Sequence, residues 1–398
     1  MNDKVYWIWL QQVLGINASI KSDEITGYFE TAKAVYNAGD YERILSGIFT
    51  PRQLTRLENR DLSKARNIYD VCVKTNWQVV TPEDESYPSM LFKLPNFPLV
   101  LYVRGDLDCL KNKITVAMVG TREPSRNSAS IARAMAASLT RSGAIVISGG
   151  ALGIDSASHC GALDEHGKTV AVLGCGLNCN YPVANEALRN EISKNGAVIT
   201  EYPPDTKAMP ANFPIRNRII SGLSYGTLVI EAGERSGSLI TANYALNQGR
   251  DVYAVPGDII SSGFTGTNKL IRDGAKPVFS AMDVLEYYGI SYPELIDIEK
   301  IETKLTLKNY SDPPSVSKPQ DNPPRKEKGE VRFIKQAEPP LLSENAKKIY
   351  RAFTKQEMQA DELILATGLS VSEFTCAMTE LELFDLTELQ AGKNYKLK

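Results

Sequence analysis

The sequence predicts an α/β protein built on a doubly wound parallel sheet, with a helical domain before it and a small winged-helix domain after it. Three observations carry that prediction. Six short apolar runs, Ile114–Val119, Ala144–Ile147, Val170–Leu173, Ala197–Thr200, Thr227–Ile230 and Asp251–Val255, alternate with amphipathic stretches of helix length. Strands without polar alternation are those covered on both faces, as in a parallel sheet flanked by helices. A proline-dense stretch then interrupts all periodicity, and beyond it three helix-length segments precede a strand pair.

In chain order, residues 1–80 read as a helical domain. Asp23–Gly39 and Thr50–Lys74 carry apolar residues at helical spacing, Thr50-Pro51 is a helix start, and Trp7 and Trp9 are core anchors. Residues 81–110, with Tyr87-Pro88, Phe97-Pro98 and Leu101–Val103, read as an extended connector packing on the core. The sheet domain occupies 111–290. Its helix Ser128–Arg141 places Ile131, Met135 and Leu139 on one face, and its alanines permit close packing. Residues 291–340 are expected to be a flexible proline-rich linker, with seven prolines between 302 and 340. The winged-helix domain, 341–398, is predicted from helices at Asn345–Phe353, Asp361–Thr367 and Ser372–Phe384. A hairpin over Leu386–Lys398, turning at Ala391-Gly392-Lys393-Asn394, completes it.

Composition narrows the function. The 398 residues hold 45 basic and 47 acidic side chains, a net charge of −2, and are 43% apolar. That excludes a histone-like protein and a wholly disordered chain, so a nucleic-acid partner would need locally gathered cations. No apolar run approaches the ~20 residues that cross a bilayer, and no signal peptide is evident. A soluble, cytoplasmic protein is expected. Six scattered cysteines do not form a disulfide framework, and with only His159 and His166 as histidines no metal is expected.

Two glycine motifs fail on inspection. Gly174-Cys175-Gly176 has Cys179 where a dinucleotide fingerprint needs its third glycine, and Gly167-Lys168-Thr169 leads into a strand instead of a helix. No cofactor is therefore expected. The strand-to-helix turns remain: Gly120-Thr121-Arg122 with Ser125, Ser148-Gly149-Gly150 running on to Asp155, and Ser236-Gly237-Ser238. In an open parallel sheet these gather at the carboxyl edge, where helix N-termini and free amides bind anions. The competing reading is that the glycines only make tight turns.

The segment Asn212-Phe213-Pro214-Ile215-Arg216-Asn217-Arg218 adds two guanidinium groups, an amide and an aromatic ring to a helix start. Guanidinium groups hold phosphates and an aromatic ring stacks on an unpaired base. Residues two apart on a helix point differently, so one arginine can face a ligand while the other braces a carboxylate; the sequence does not say which. The competing reading is a salt-bridged helix start with Phe213 in the core. No nucleophile, base and orienter assemble, so no catalytic residues are assigned. Asp155 is expected to cap a helix or bond its turn, Glu231 to end a strand at the same edge, and both histidines to pack. In the last domain seven basic residues face nine acidic ones, and Ser372–Phe384 has no lysine or arginine. That helix suits a protein partner better than duplex DNA.

These motifs, in one order and spacing, resemble the DNA-processing protein A family, the Smf-related proteins of bacterial natural transformation. The resemblance runs through Tyr87-Pro88, Val119–Arg122, Ser148–Asp155, Phe213–Ser224, Glu231-Ala232, Ser236–Ala242, Val255-Pro256-Gly257 and Gly266-Thr267-Asn268. It implies an extended Rossmann-like domain that binds single-stranded DNA and forms homodimers, a sterile-alpha-motif-like N-terminal domain and a C-terminal winged helix. It also implies loading of the RecA recombinase onto strands, including those covered by single-strand-binding protein. The DNA-binding set expected is Gly120, Thr121, Arg122, Ser125, Ser148, Gly149, Gly150, Phe213, Arg216, Asn217, Arg218, Ser236 and Ser238. By motif match, Arg122 is the arginine of the phosphate turn. Thr121 stands where serine is common, and Met209–Asn212 lacks the basic residue often found there, with Lys207 nearest. The same superfamily contains phosphoribohydrolases of the lysine-decarboxylase-like type. Their catalytic glutamate falls here at about Thr241, which argues against hydrolysis.

Overall fold

Trp7 and Trp9 are buried in α1 (Lys4–Leu14), their indole N–H groups donating to the Glu83 carboxylate and, at 2.8 Å, to the Asn59 carbonyl. The structure, a computed structural model, describes residues 2–16, 20–305, 342–353, 357–383, 386–390 and 394–397. The helix expected over 23–39 is two helices, α2 (Ser22–Phe29) and α3 (Ala32–Asn37). Glu30 takes a φ of 62° between them, and the Thr31 hydroxyl caps α3 by accepting from Ala34 N. After α4 (Asp40–Leu45), α5 (Pro51–Leu57) begins at the expected Thr50 with a reciprocal capping box to Gln53. The stretch 50–74 is likewise divided. Asp61 accepts from Ser63 N at 2.9 Å and Ser63 Oγ at 2.7 Å, ending the run and starting α6 (Ser63–Lys74).

The expected boundary at residue 80 and the expected connector over 81–110 both need correction. β1 (Gln78–Val80) pairs antiparallel with β2 (Leu101–Gly105), and β2 pairs antiparallel with a strand of the main sheet. Part of the connector is therefore sheet. Short 3₁₀ turns and prolines hid this strand pair from periodicity.

The apolar runs form β3 (Thr115–Val119), β4 (Ile145–Ser148), β5 (Thr169–Leu173), β6 (Ala197–Thr200), β7 (Gly226–Val229) and β8 (Asp251–Ala254), each within a residue or so of expectation, and the short β9 (Lys276–Pro277) follows. The sheet order is β1-β2-β6-β5-β4-β3-β7-β8-β9, with β3 to β9 parallel to one another. Between strands run α7 (Arg126–Arg141), α8 (Ile154–Asp164), α9 (Glu186–Asn195), α10 (Asn212–Gly222), α11 (Ser238–Asn247) and α12 (Thr265–Arg272), with α13 (Met282–Ser291) last. From β3 the chain winds outward to β6, then returns to lay β7 on the other side of β3. That reversal is the switch point at which open α/β sheets leave a crevice.

The linker does not begin at 291. Ile296 and Ile301 are buried against the β3–α7–α13 side, so the ordered unit continues through 305. The rest of the expected linker, 306–340, lies outside the described residues. The chain divides into two units, Met1–Val316 and Ser317–Lys398. In the second, α14 (Glu344–Ala352), α15 (Ala360–Thr367) and α16 (Val371–Leu383) match the three expected helices. β11 (Thr387–Gln390) and β12 (Asn394–Leu397) form the hairpin, while β10 (Glu357–Gln359) adds a third strand to β12. Residues 391–393 of the expected turn lie outside the described set. The exposed face of α16 carries Glu373, Thr375, Cys376, Thr379 and Glu382.

Candidate nucleic-acid interface

Three βα turns and the start of α10 meet at the carboxyl edge of the sheet around a groove of about 560 Å³. β3 contributes Gly120, Thr121 and Arg122, the turn before α11 contributes Ser236, Gly237 and Ser238, and α10 contributes Phe213, Arg216 and Asn217. A smaller cavity of about 90 Å³ opens beside it between Gly149, Gly150, Leu173, Cys175 and Phe213. Phe213 is half-buried, not part of the core. Its ring lies against the β5 turn, where a Cβ on Gly174 would come within 2.8 Å of Phe213 Cδ1. The glycine that failed as a dinucleotide motif therefore seats the aromatic ring. The Arg122 guanidinium, on an exposed side chain, sits 5.2 Å from the Phe213 centroid and that of Arg216 lies 5.8 Å away.

The two arginines of α10 part company, as their spacing requires. Arg216 is 4% exposed and lines the groove floor. Its Nη1 donates to the carbonyls of Gly149, at 2.6 Å, and Val172, tying the β4 turn to β5. Asp155 faces it across Gly149, where a Cβ would meet Arg216 Nη1 and Asp155 Oδ2 at 2.6 Å each, so only glycine leaves room for the pair. Burial pushes the Asp155 carboxyl up, against the pull of Arg216 and of the Ala151 amide that it accepts at 3.3 Å. His159 lies buried nearby with Nδ1 on Thr169 Oγ1 at 2.8 Å. Because Thr169 Oγ1 donates to Val146 O, Nδ1 carries the proton. Burial, reinforced by Arg216, pushes the imidazole down to about 3. This is a packing histidine.

Arg218 must be withdrawn from the expected DNA-binding set. It is 1% exposed, points away from the groove and donates from Nη2 to Glu201 Oε1 at 2.8 Å. Burial raises the Glu201 carboxyl while Arg218 lowers it. Here is the carboxylate-bracing arginine that the sequence could not assign. Ser148 is also misplaced: fully buried, its hydroxyl donates to Met118 O at 2.7 Å. Ser125 caps α7 by accepting from Ser128 N, and both its amide and hydroxyl donate to Glu231, at 2.9 and 3.2 Å. The sequence placed the two serines by their position in a turn, which does not reveal where a short side chain points. The groove is consequently less cationic than expected, with one exposed arginine, Arg122, and one buried one, Arg216, lining it.

Gly120, Thr121, Arg122, Phe213, Arg216, Asn217, Ser236 and Ser238 do converge on the groove, and Gly149 and Gly150 on the adjoining cavity. Ser236 and Ser238 hydroxyls lie 2.8 Å apart, and Asn217 Nδ2 reaches Gly237 O at 3.4 Å. Sequence reasoning missed Tyr181, whose ring centroid is 5.7 Å from that of Phe213 and which lines both cavities. The signal was an aromatic in Tyr181-Pro182 soon after the β5 glycine turn. Among the described residues no cluster of three or more His, Cys, Asp or Glu could hold a metal, and no helix is long and apolar enough to cross a membrane.

A doubly wound sheet whose carboxyl edge presents glycine-rich turns, an exposed arginine and a half-buried aromatic ring defines an α/β anion-binding module able to take unpaired polynucleotides. Residues 78–289 match the family described as DNA recombination-mediator protein A, and residues 335–393 the DprA winged helix domain. Protein Smf of Synechocystis sp. is 34% identical over 326 residues, 81% of this chain and 80% of that protein. DNA processing protein DprA of Streptococcus pneumoniae is 43% identical over 202 residues, 51% of this chain and 71% of that one. The X-ray structure of DNA processing protein A from S. pneumoniae superposes with a TM-score of 0.63 at 34% identity, covering 71% of this chain and 97% of that chain. The chain belongs to the DNA recombination-mediator protein A family.

Proposed function

We propose that the protein binds single-stranded DNA in the groove at the sheet's carboxyl edge and passes the strand to the RecA recombinase, without performing chemistry on it. The observation that carries this reading is Phe213, held half-exposed against Gly174 with the Arg122 guanidinium at 5.2 Å. A ring and a cation side by side suit a base and its phosphate, and neither reads sequence. The Ser236 and Ser238 hydroxyls and the Asn217 side chain, which line the same groove, supply further polar groups to the backbone. The protein acts as a homodimer through its sheet domain, in the cytoplasm, and loads recombinase onto strands covered by single-strand-binding protein. The winged-helix domain, with an acidic face on α16, contacts a protein and not duplex DNA.

Anisotropy titrations against single-stranded and duplex oligonucleotides over a range of salt test the binding. Single strands should be preferred, with affinity falling on a log–log salt plot. Equal affinity for duplex, or salt independence, would overturn the reading. Loading is tested by whether the protein speeds RecA filament assembly on strands coated with single-strand-binding protein; unchanged rates would remove that half.

A further inference from the structure

Tyr181 is 39% exposed although its ring touches that of Phe213, and it borders both the groove and the smaller cavity. It is carried on a strap, residues 176–185, that leaves the β5 turn and crosses the carboxyl edge. At one end Gly176 N and Asn178 N donate to Thr206 O and Pro204 O, each at 2.9 Å. At the other, buried Asn185 donates from Nδ2 to Gly150 O and Ala151 O at 3.0 Å and to Ser156 Oγ at 2.8 Å. Arg189 Nη1 donates to Pro182 O at 2.8 Å and its Nη2 to the Asn180 side chain. The buried Arg189 guanidinium thus spends donors on the two residues that flank Tyr181, and the buried Asn185 amide ties the end of the strap to the β4 turn and α8. These bonds fix the strap on both sides of a ring that stays partly open to solvent at the groove.

We propose that Tyr181 is a second stacking ring of the groove, paired with Phe213, and that Asn185 and Arg189 are positioning residues that hold it there. The two rings are tilted by 48°, so they do not stack on each other and each keeps a face for a base. This rests on the single-strand reading above and adds a residue to it. Asn185 couples the strap to the Gly149–Leu152 turn, so the ring and that turn keep one register.

The test uses the full chain with an oligothymidylate of about 12 nucleotides and a matching strand bearing abasic sites. Tyr181→Leu should weaken binding to the ordinary strand by roughly 5- to 100-fold, while Tyr181→Phe stays within about twofold. The salt slope should remain that of the unaltered protein, since no phosphate contact is lost. On abasic strands the gap between Tyr181→Leu and the unaltered protein should close. Asn185→Ala should weaken binding, and adding it to Tyr181→Leu should cost nothing further. In the unaltered protein, a strand carrying 5-iodouracil should photo-crosslink to the peptide containing Tyr181. Full affinity in Tyr181→Leu, a loss that persists on abasic strands, or crosslinks confined to Phe213 would overturn the proposal. Failure of the unaltered protein to bind single strands would instead sink the parent reading.

Discussion

Replacing Arg218 by methionine removes a cation while keeping much of its volume, and it separates a structural arginine from a binding one. Arg218 and Glu201 are 1% and 3% exposed and meet at 2.8 Å through one nitrogen and one oxygen. Among the described residues Arg218 Nε and Nη1 and Glu201 Oε2 have no protein hydrogen-bond partner, so the pair is a single contact, not a fork. Removing one member of a buried pair costs about 3–5 kcal/mol, and this geometry argues for about 3. For a unit of Met1–Val316, with roughly 2 cal/mol/K of unfolding entropy per residue, that is a fall in Tm of about 5 °C. The deficit has a pH signature. Without Arg218, burial alone acts on Glu201 and holds its folded pKa above the unfolded value. The neutral carboxyl is then favoured in the fold, so the penalty is absent below the unfolded pKa and grows as pH rises through the folded one. The gap to the unaltered protein should widen from pH 5 to pH 8, and Glu201→Leu added to Arg218→Met should recover most of it. Urea unfolding at the two pH values measures this, and anisotropy at a temperature where both proteins are folded should give equal affinity for single strands. Unchanged stability together with lost affinity would refute the reasoning and return Arg218 to the groove.

Arg122→Ala should leave stability within about 0.5 kcal/mol, because the side chain is exposed, yet lower single-strand affinity and reduce the salt slope by about 0.7. Titrations at several salt concentrations report both. His159, held down to about 3 by burial, contributes stability that is complete above the unfolded pKa of about 6.5 and is lost as pH falls towards the folded value, by up to about 1.4 kcal/mol per unit. His159→Gln should flatten that part of a stability–pH curve; an unaltered slope would show that the ring is solvated. Thr50→Ala, which breaks the capping box to Gln53, should cost about 1 kcal/mol in urea unfolding without touching DNA affinity.

The parallel strands were legible because burial on both faces leaves a run of Val, Ile, Leu and Ala that nothing else explains. The helix starts were legible where a side chain made them, as at Thr50-Pro51. What local pattern could not reveal was long-range pairing: β1 pairs with β2, and β2 with β6, nearly a hundred residues further along the sequence. Nor does a helical period show that Glu30 and Asp61 end their runs, since each break is a local backbone or side-chain choice. At the groove, the structure brings together Arg122, Phe213 and Arg216, which residue type had singled out. Direction failed for Ser125, Ser148 and Arg218, whose partners, Glu231, Met118 O and Glu201, come from elsewhere in the fold. Tyr181 escaped notice because the strap that carries it has no period at all.

The antiparallel β2 also fixes where this protein can be shortened. All four residues of β6 are buried, and Tyr102, Val103, Arg104 and Gly105 sit directly opposite them. A chain trimmed at 110, where composition changes, would present β6 as a bare apolar edge, and such edges recruit strands from other molecules into aggregates. Trimming ahead of Gln78 keeps that shield but uncovers Val79, Leu99, Val100 and Tyr102, which pack against the N-terminal helices, so the helices and the sheet should be kept together.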